Sequence, residues 1–546
     1  MVRRENANVF YVNPPNSDLK LDITENLTPL SADMALTNGK VLTMNPAQPV
    51  AEAIAIKGNK IIKVGTNQEI NQLIRGNTKL IHLNGKTVVP GFIDTHIHIT
   101  DFGRLLEWLN LANIKSITEL IENVKKRVEK TPRGRWILGR GWNETRLKEN
   151  HSPTRLDIDK VSPNNPVVLY HEIAQTCLLN SKALEIANIT AKTPAPGNGI
   201  IDKDNITGEP TGILRDSATN IVWQKIPEPD ENELLEATAD ACQKIAEAGV
   251  TSVHWMVLSP IEILVARKLH AQNRLPIRVN LIIPANLLDT IKNFSSHDNS
   301  ALHIGGAVIS IDGYLASKTA ALSQPYSDRQ NSKGQLLATP EEINATARKI
   351  LAAGLQLIIH AMGDRAVDLA LTTIETLPDL TSNRNVRIRL EQAALLNPKL
   401  IQRIKHQRII ISVQPLVIAS EFSVWHAKDH LGAERARWLY PLKTLLKNGI
   451  HIVAGSDCPM EPLNPLLGIQ ATTTREDSKE KVSAEEALRM YTADAAYASG
   501  EEKLKGTIKE GKLADLTILS HDPTTTPTNE IKTIKAETTI INGSLA

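Results

Sequence analysis

An α/β fold, a (β/α)8 TIM barrel joined to a β-sandwich domain built from both termini, is predicted by three observations on the 546-residue chain. Short apolar runs alternate with amphipathic helical stretches through the middle of the sequence, the pattern of a parallel sheet with helical crossovers. Both ends of the chain instead show short strand-like segments around Asn-Gly or Gly-Asn. No glycine-rich phosphate loop follows the first strand of the alternating region, which argues against a doubly wound open sheet.

Residues 1–32 are polar, rich in Pro and Asn, and read as a loose tail. Residues 33–90 hold "MALTNGKVLTM", "AIAIKGNKIIKVG" and "LIHLNGKTVVP", each predicted to be a hairpin. With 505–546, which contains "KLADLTIL" and "TTIINGSLA", they are expected to form one composite sandwich. Residues 91–504 are assigned to the barrel, with an insertion around 101–245. Ten apolar runs compete for eight barrel positions, and "WILGRG" and "PVVLYH" are the two placed in the insertion. "TPEEINATARKILAAG" predicts a helix with Thr339 as N-cap, Pro340 in the first turn, Glu342 closing a capping box and Gly354 as terminator. "GDRAVDLALTTIETL" repeats apolar residues on one helical face, and "SAEEALRMYTADAAYA" reads as a similar helix.

The composition is that of an ordinary globular protein, 41% hydrophobic and 22% charged. A net charge of +2, without long like-charge blocks, predicts neither a nucleic-acid nor a membrane partner. Three dispersed cysteines form no disulfide framework, so a reducing, cytoplasmic setting is expected. The first residues lack the apolar core of a secretory signal, and no run approaches the roughly 20 apolar residues of a membrane span. Trp108, Trp136, Trp142 and Trp255 are read first as packing, with a substrate-pocket wall as the alternative.

Barrel chemistry gathers at the C-terminal ends of strands. Those ends supply His96 and His98 in "FIDTHIHI", His171, His254, His360 in "LQLIIHAMGD", Gln392 in "RLEQA" and Asp457 in "VAGSDCPMEP". His96 and His98 are two residues apart, so a strand aims both imidazoles at one side. Burying the pair calls for compensation, and a divalent metal supplies it. His96, His98, His360 and Asp457 together offer three nitrogens and a carboxylate, a set that suits zinc and also accepts iron or manganese. Such an ion makes water acidic enough to attack near neutral pH, with Asp457 placed to take its proton and return it to a leaving nitrogen.

Taken together, "VVPGFIDTHIH", "WILGRGWNETR", "LLNSKALEIANI", "DGYLASKTAALSQPYSD", "HAMGDRAVD", "LGAERARWLYPLKTLL" and "GSDCPMEPLNPLLGI", in that order, make the chain resemble the amidohydrolase superfamily. Within it the resemblance is to the YtcJ-like (amidohydrolase-3) branch, which includes N-substituted formamide deformylase. The resemblance implies a metal-dependent-hydrolase barrel and hydrolysis of a C–N bond, in an amide, formamide or related group, of a small molecule. It also implies His96, His98, His360 and Asp457 as metal ligands. Three positions depart from the family pattern. Val308 stands where relatives have a lysine able to bridge two metals, Gln392 where they have a histidine, and Gln175 where another histidine is usual. One metal is therefore expected rather than two, with Asp457 carrying the proton transfer and Gln392 orienting water by hydrogen bonding. Asp312, His254, Gln175 and Lys318 are the candidates to face the substrate. The alternatives are a non-hydrolytic, isomerase-like enzyme and a catalytically silent binding scaffold; a homo-oligomer is compatible with either.

Overall fold

Eight parallel strands form the central sheet: Phe92–Ile97, Val250–Met256, Arg278–Pro284, Leu302–Ser310, Gln356–Ala361, Arg389–Gln392, Ile410–Val413 and Ile452–Ala454. They are taken from a computed structural model, which describes residues 31–172, 175–291, 301–377 and 386–546. The predicted tail lies outside the described residues except for its last two positions. Seven of the eight neighbour pairs are parallel ladders, two of them, those of Val250–Met256 with Phe92–Ile97 and of Arg278–Pro284 with Leu302–Ser310, interrupted by register shifts. The eighth contact, between the last strand and the first, is made just beyond the last strand. Ile97 pairs there with Cys458, the Asp457 amide donates to the His96 carbonyl at 2.8 Å, and the His98 amide donates to the Cys458 carbonyl at 2.9 Å. These strands are buried on both faces, which is why they read as nearly unbroken apolar runs.

The helices follow their local signals. Pro340–Ala352 starts at Thr339, whose hydroxyl and the Glu342 carboxylate form the reciprocal capping box, and Gly354 follows with φ +72°. Asp364–Glu375 buries Ala366, Val367, Ala370, Leu371 and Ile374 against the barrel. The single helix expected over "SAEEALRMYTADAAYA" is instead two, Ala484–Met490 and Ala493–Ala498. At the break the Tyr491 carbonyl leaves the helical ladder and accepts the Ile93 amide of the first barrel strand at 2.7 Å. A tertiary hydrogen bond overrides helix propensity at that point.

Between the first two barrel strands the chain leaves through the helix Ile99–Leu106 and builds a separate six-stranded sheet. "WILGRG" and "PVVLYH" lie in it as Ile137–Trp142 and Val167–His171. The chain returns through the helix Glu231–Glu247, capped by Asp230 with Glu233.

The sandwich has two sheets, and one of them interleaves the ends of the chain: Thr87–Pro90 pairs with Leu516–Leu519, which pairs with Ala536–Ile541. Leu36, Ile54, Val88, Leu516 and Ile540 meet in the core between the sheets. Two of the expected hairpins are corrected here. Gly58-Asn59 does join an antiparallel pair, Ala53–Lys57 with Lys60–Gly65. Asn38-Gly39 and Asn84-Gly85 instead carry the chain from one sheet to the other, since Met34–Thr37 and Lys79–His82 lie in one and Lys40–Leu42 and Thr87–Pro90 in the other. Met34–Thr37, Lys40–Leu42 and Thr87–Pro90 have buried positions on their own sheet's inner face and Lys79–His82 packs Ile81 against the same core, so each pair needs a corner rather than a reversal.

Barrel closure leaves no room at Gly455. A Cβ there would stand 2.4 Å from the His96 amide nitrogen. Gly455→Ala is expected to cost about 1–3 kcal/mol of overpacking strain, read by urea denaturation, and to impair metal binding as well, because the displaced backbone is that of His96.

Candidate metal centre

His96 and His98 reach the barrel mouth from the end of the first strand, and the backbone around them decides where their ring protons sit. His98 Nδ1 lies 3.1 Å from the Met256 carbonyl, which can only accept, so Nδ1 carries a proton. His96 Nδ1 lies 3.0 Å from Glu391 Oε2. Glu391 is fully buried, which by itself opposes charge, but the Arg389 guanidinium and His96 hold its carboxyl down to about 2. It is therefore a carboxylate, and His96 Nδ1 donates to it. In the neutral rings both Nε2 atoms are left as bare lone pairs, and each stands 3.5 Å from the same oxygen, Asp457 Oδ1. One ligand atom from each of the three residues lies within 4.8 Å of the others.

Two lone pairs and a carboxylate oxygen facing one point repel one another unless positive charge sits among them. Although burial opposes it, Glu391 and Asp457 raise the His96 imidazole above its usual range, so a proton on Nε2 fills that place when no metal does. His360 adds to this. It is next to Glu391 in strand register, and neither of its buried ring nitrogens has a hydrogen-bond partner among the described residues. Burial holds it down to about 4, against the pull of Glu391 and Asp457, so it is a neutral donor. This donor set fits a divalent metal. His96, His98 and Asp457 are the residues brought together, and His360 stands outside that close trio, with the Tyr314 ring 5.6 Å away.

The other candidates have diverse partners. Gln392 is buried and accepts the Tyr440 hydroxyl at 2.5 Å, at a left-handed φ of +69°. Asp457 is also left-handed, at +60°; such backbone strain collects at functional sites. Val308 packs with Met256, Ile282 and Ile358 inside the barrel, an apolar wall where the family's bridging lysine would stand. Both Asp312 oxygens are taken by backbone amides, Met362 on one and Ala321 and Gly363 on the other, so it anchors the loop that follows His360. Lys318 pairs with Asp328. Gln175 is exposed at the start of an insertion strand. His171 lies in the insertion and bonds Glu144 at 3.0 Å. Trp142 and Trp255 are core residues, each indole bonded to an internal acceptor.

Behind the ligands is a buried polar chain whose Arg389, Glu391 and Asp94 the sequence reading passed over, and which holds His254, expected to face the substrate, buried against Arg389 instead. Arg389 is fully buried, pairs with Glu391, and donates to the Thr95 carbonyl at 2.6 Å and to His254 Nδ1 at 2.8 Å. Burial, then the charge of Arg389, push His254 well below the usual imidazole range. On the first strand, Asp94 Oδ1 accepts the amides of His96 and Ser456 and so ties the first strand to the last. The signal was available: Arg389 and Glu391, like Asp94 and His96, are polar residues two apart in apolar strands, the spacing that drew attention to His96 and His98.

Glu391→Gln is expected to weaken metal affinity by about 10–100-fold, read by chelator competition. His360→Ala should abolish tight binding and Gln392→Ala should keep it. His254 sets a pH dependence: the unfolded ring takes a proton near pH 6.5 and the native one does not, so stability is lost as pH falls below 6.5. The loss is about 1.4 kcal/mol per pH unit, and His254→Gln should remove that share of the slope in denaturant titrations from pH 5 to 8.

With the fold and site in view, comparison with known proteins is direct. The Amidohydrolase family matches residues 79–546. The chain is 30% identical over 523 residues to the putative amidohydrolase YtcJ of Bacillus subtilis, covering 93% of this chain and 98% of that one. It is 27% identical over 540 residues to the N-substituted formamide deformylase of Arthrobacter pascens, covering 94% and 98%. A solved structure of an uncharacterized metal-dependent hydrolase from Pyrococcus furiosus is 31% identical and superposes with a TM-score of 0.72, over 90% of this chain and 99% of that one. A barrel closed through a His-His-Asp cluster, matched over nearly its full length by such relatives, places this chain in the Amidohydrolase family.

Proposed function

We propose that the protein is a metal-dependent hydrolase that cleaves a C–N bond, in an amide, formamide or related group, of a small molecule in the cytoplasm. The observation that carries this reading is the enforced tautomer of His96 and His98, which turns both Nε2 lone pairs onto Asp457 Oδ1. A single divalent ion, zinc in the first place, would be held by those three residues and His360, and when bound it supplies the Lewis acidity that polarises a carbonyl and acidifies a water near neutral pH. Asp457 takes the proton of the attacking water and delivers it to the departing nitrogen, as general base and then general acid. Glu391 and the Met256 carbonyl hold the two imidazoles in place throughout, so the ligand nitrogens need no reorganisation. Gln392, tied to Tyr440, shapes the wall beside His360 and cannot take up the proton.

The three free, buried cysteines suit a reducing compartment. No helix among the described residues is long and apolar enough to cross a membrane.

The test is metal quantitation, then a screen of formamides, N-acyl amines and cyclic amides in oxygen-18 water. One label per turnover in the acid product is the expected result. Unlabelled product from an active enzyme would instead favour isomerisation. Asp457→Asn should lower kcat by about 10²–10⁴-fold.

A further inference from the structure

We propose that Arg140, on the sheet inserted between the first two barrel strands, binds a carboxylate of the substrate whose aromatic part packs on Trp108, Tyr170 and Trp223. The proposal names a substrate class for the site above and rests on that reading only for the reaction, not for the binding.

Arg140 pairs in register with Tyr170 on the neighbouring strand and with Asn110 on the other side, so Arg140 and Tyr170 stand on one face of the sheet. The Tyr170 ring stacks on Trp108 at 5.4 Å and 21°, and both rings meet Trp223 edge-on, at 5.8 and 6.2 Å. Trp223 is 47% exposed, so this cluster opens to solvent on at least one side. The Tyr170 hydroxyl is buried and without a partner among the described residues, a polar atom awaiting one.

Arg140 differs from the arginines around it. Arg135 pairs with Glu233, Arg146 with Glu172 and Arg215 with Asp202. Arg140 is an exposed residue whose guanidinium has no ion pair and no hydrogen bond among the described residues, and partial burial of the group holds it below the usual arginine range. One stretch of chain links Arg140 to the metal centre: the helix that starts after His98 runs into Trp108 and the strand Leu109–Asn110 beside Arg140.

An unpaired guanidinium beside an aromatic wall recognises a planar anion with a ring behind it. A carboxylate fits better than a phosphate, because the other nearby guanidinium groups are already neutralised and a dianion would remain half compensated.

The binding test uses 3-phenylpropionate and its neutral analogue 3-phenylpropan-1-ol, titrated calorimetrically into the protein after chelation, so that no metal contributes. The carboxylate should bind at least 10-fold tighter than the alcohol. Arg140→Ala should remove that preference and Arg140→Lys should restore part of it, with unchanged circular dichroism and metal uptake. Equal binding of the two probes, no binding of the carboxylate at millimolar concentration, or an Arg140→Ala variant that keeps the preference would each overturn the assignment. A kinetic comparison separates it from the proposed reaction. N-formylphenylalanine should be hydrolysed with a lower KM than N-formyl-2-phenylethylamine, and Arg140→Ala should erase that gap while leaving kcat on the neutral amide unchanged. If the carboxylate binds through Arg140 and no amide is cleaved, the hydrolytic reading falls and the subsite stands. If both amides are cleaved alike by the native protein, the subsite falls and the hydrolytic reading stands.

Discussion

Where the first barrel strand meets the last, the backbone bonds that close the barrel are made by the residues that would hold the metal. His96 and His98 contribute a carbonyl and an amide, and Asp457 and Cys458 answer them. The distances among the three candidate ligands therefore follow from main-chain geometry rather than from long, adjustable side chains. Gly455 and Asp94 serve the same seam, one by having no side chain and the other by bonding the amides of His96 and Ser456. A barrel that failed to close would lose its ligand set with its last strand contact.

The seam alone does not make the imidazoles good ligands. That depends on the fully buried Arg389–Glu391 pair. Burying a carboxylate in an apolar barrel is costly, and the guanidinium offsets that cost while spending its remaining donors on the Thr95 carbonyl and His254. Glu391 then orients His96. Positive charge at the proposed metal position and negative charge at Glu391 thus alternate with Arg389 behind them, an arrangement that lowers the electrostatic cost of each member.

The fold class was legible because apolar runs of strand length and capped helices report local physics. Thr339 and Glu342 identify a helix start whatever lies beyond it. The insertion strands were separable for the reason that two extra runs cannot fit an eight-stranded barrel. What escaped was set by distant partners. Asn38-Gly39 has the residues of a hairpin turn and makes a corner, because the inner faces of two sheets claim its flanking strands. Tyr491 breaks a good helical pattern to bond Ile93. The close trio His96, His98 and Asp457 was readable from strand-end positions, whereas the tie from Gln392 to Tyr440 joins residues 48 apart in sequence and left no local trace. Arg389 and Glu391 carried a visible sign, paired charges in an apolar strand.

Thr87–Pro90 finds its partner, Leu516–Leu519, more than four hundred positions later, with Val88 opposite Ile518. During vectorial synthesis the early strands can pair among themselves, but the free edge of Thr87–Pro90, already joined to Lys40–Leu42 on its other side, must wait while the whole barrel emerges. Loop-closure entropy for so long a separation grows only slowly with length, so delay is the larger hazard and the thermodynamic penalty the smaller. Completion of that sheet is thus a late event in folding, and the sandwich cannot be whole before the barrel has been made.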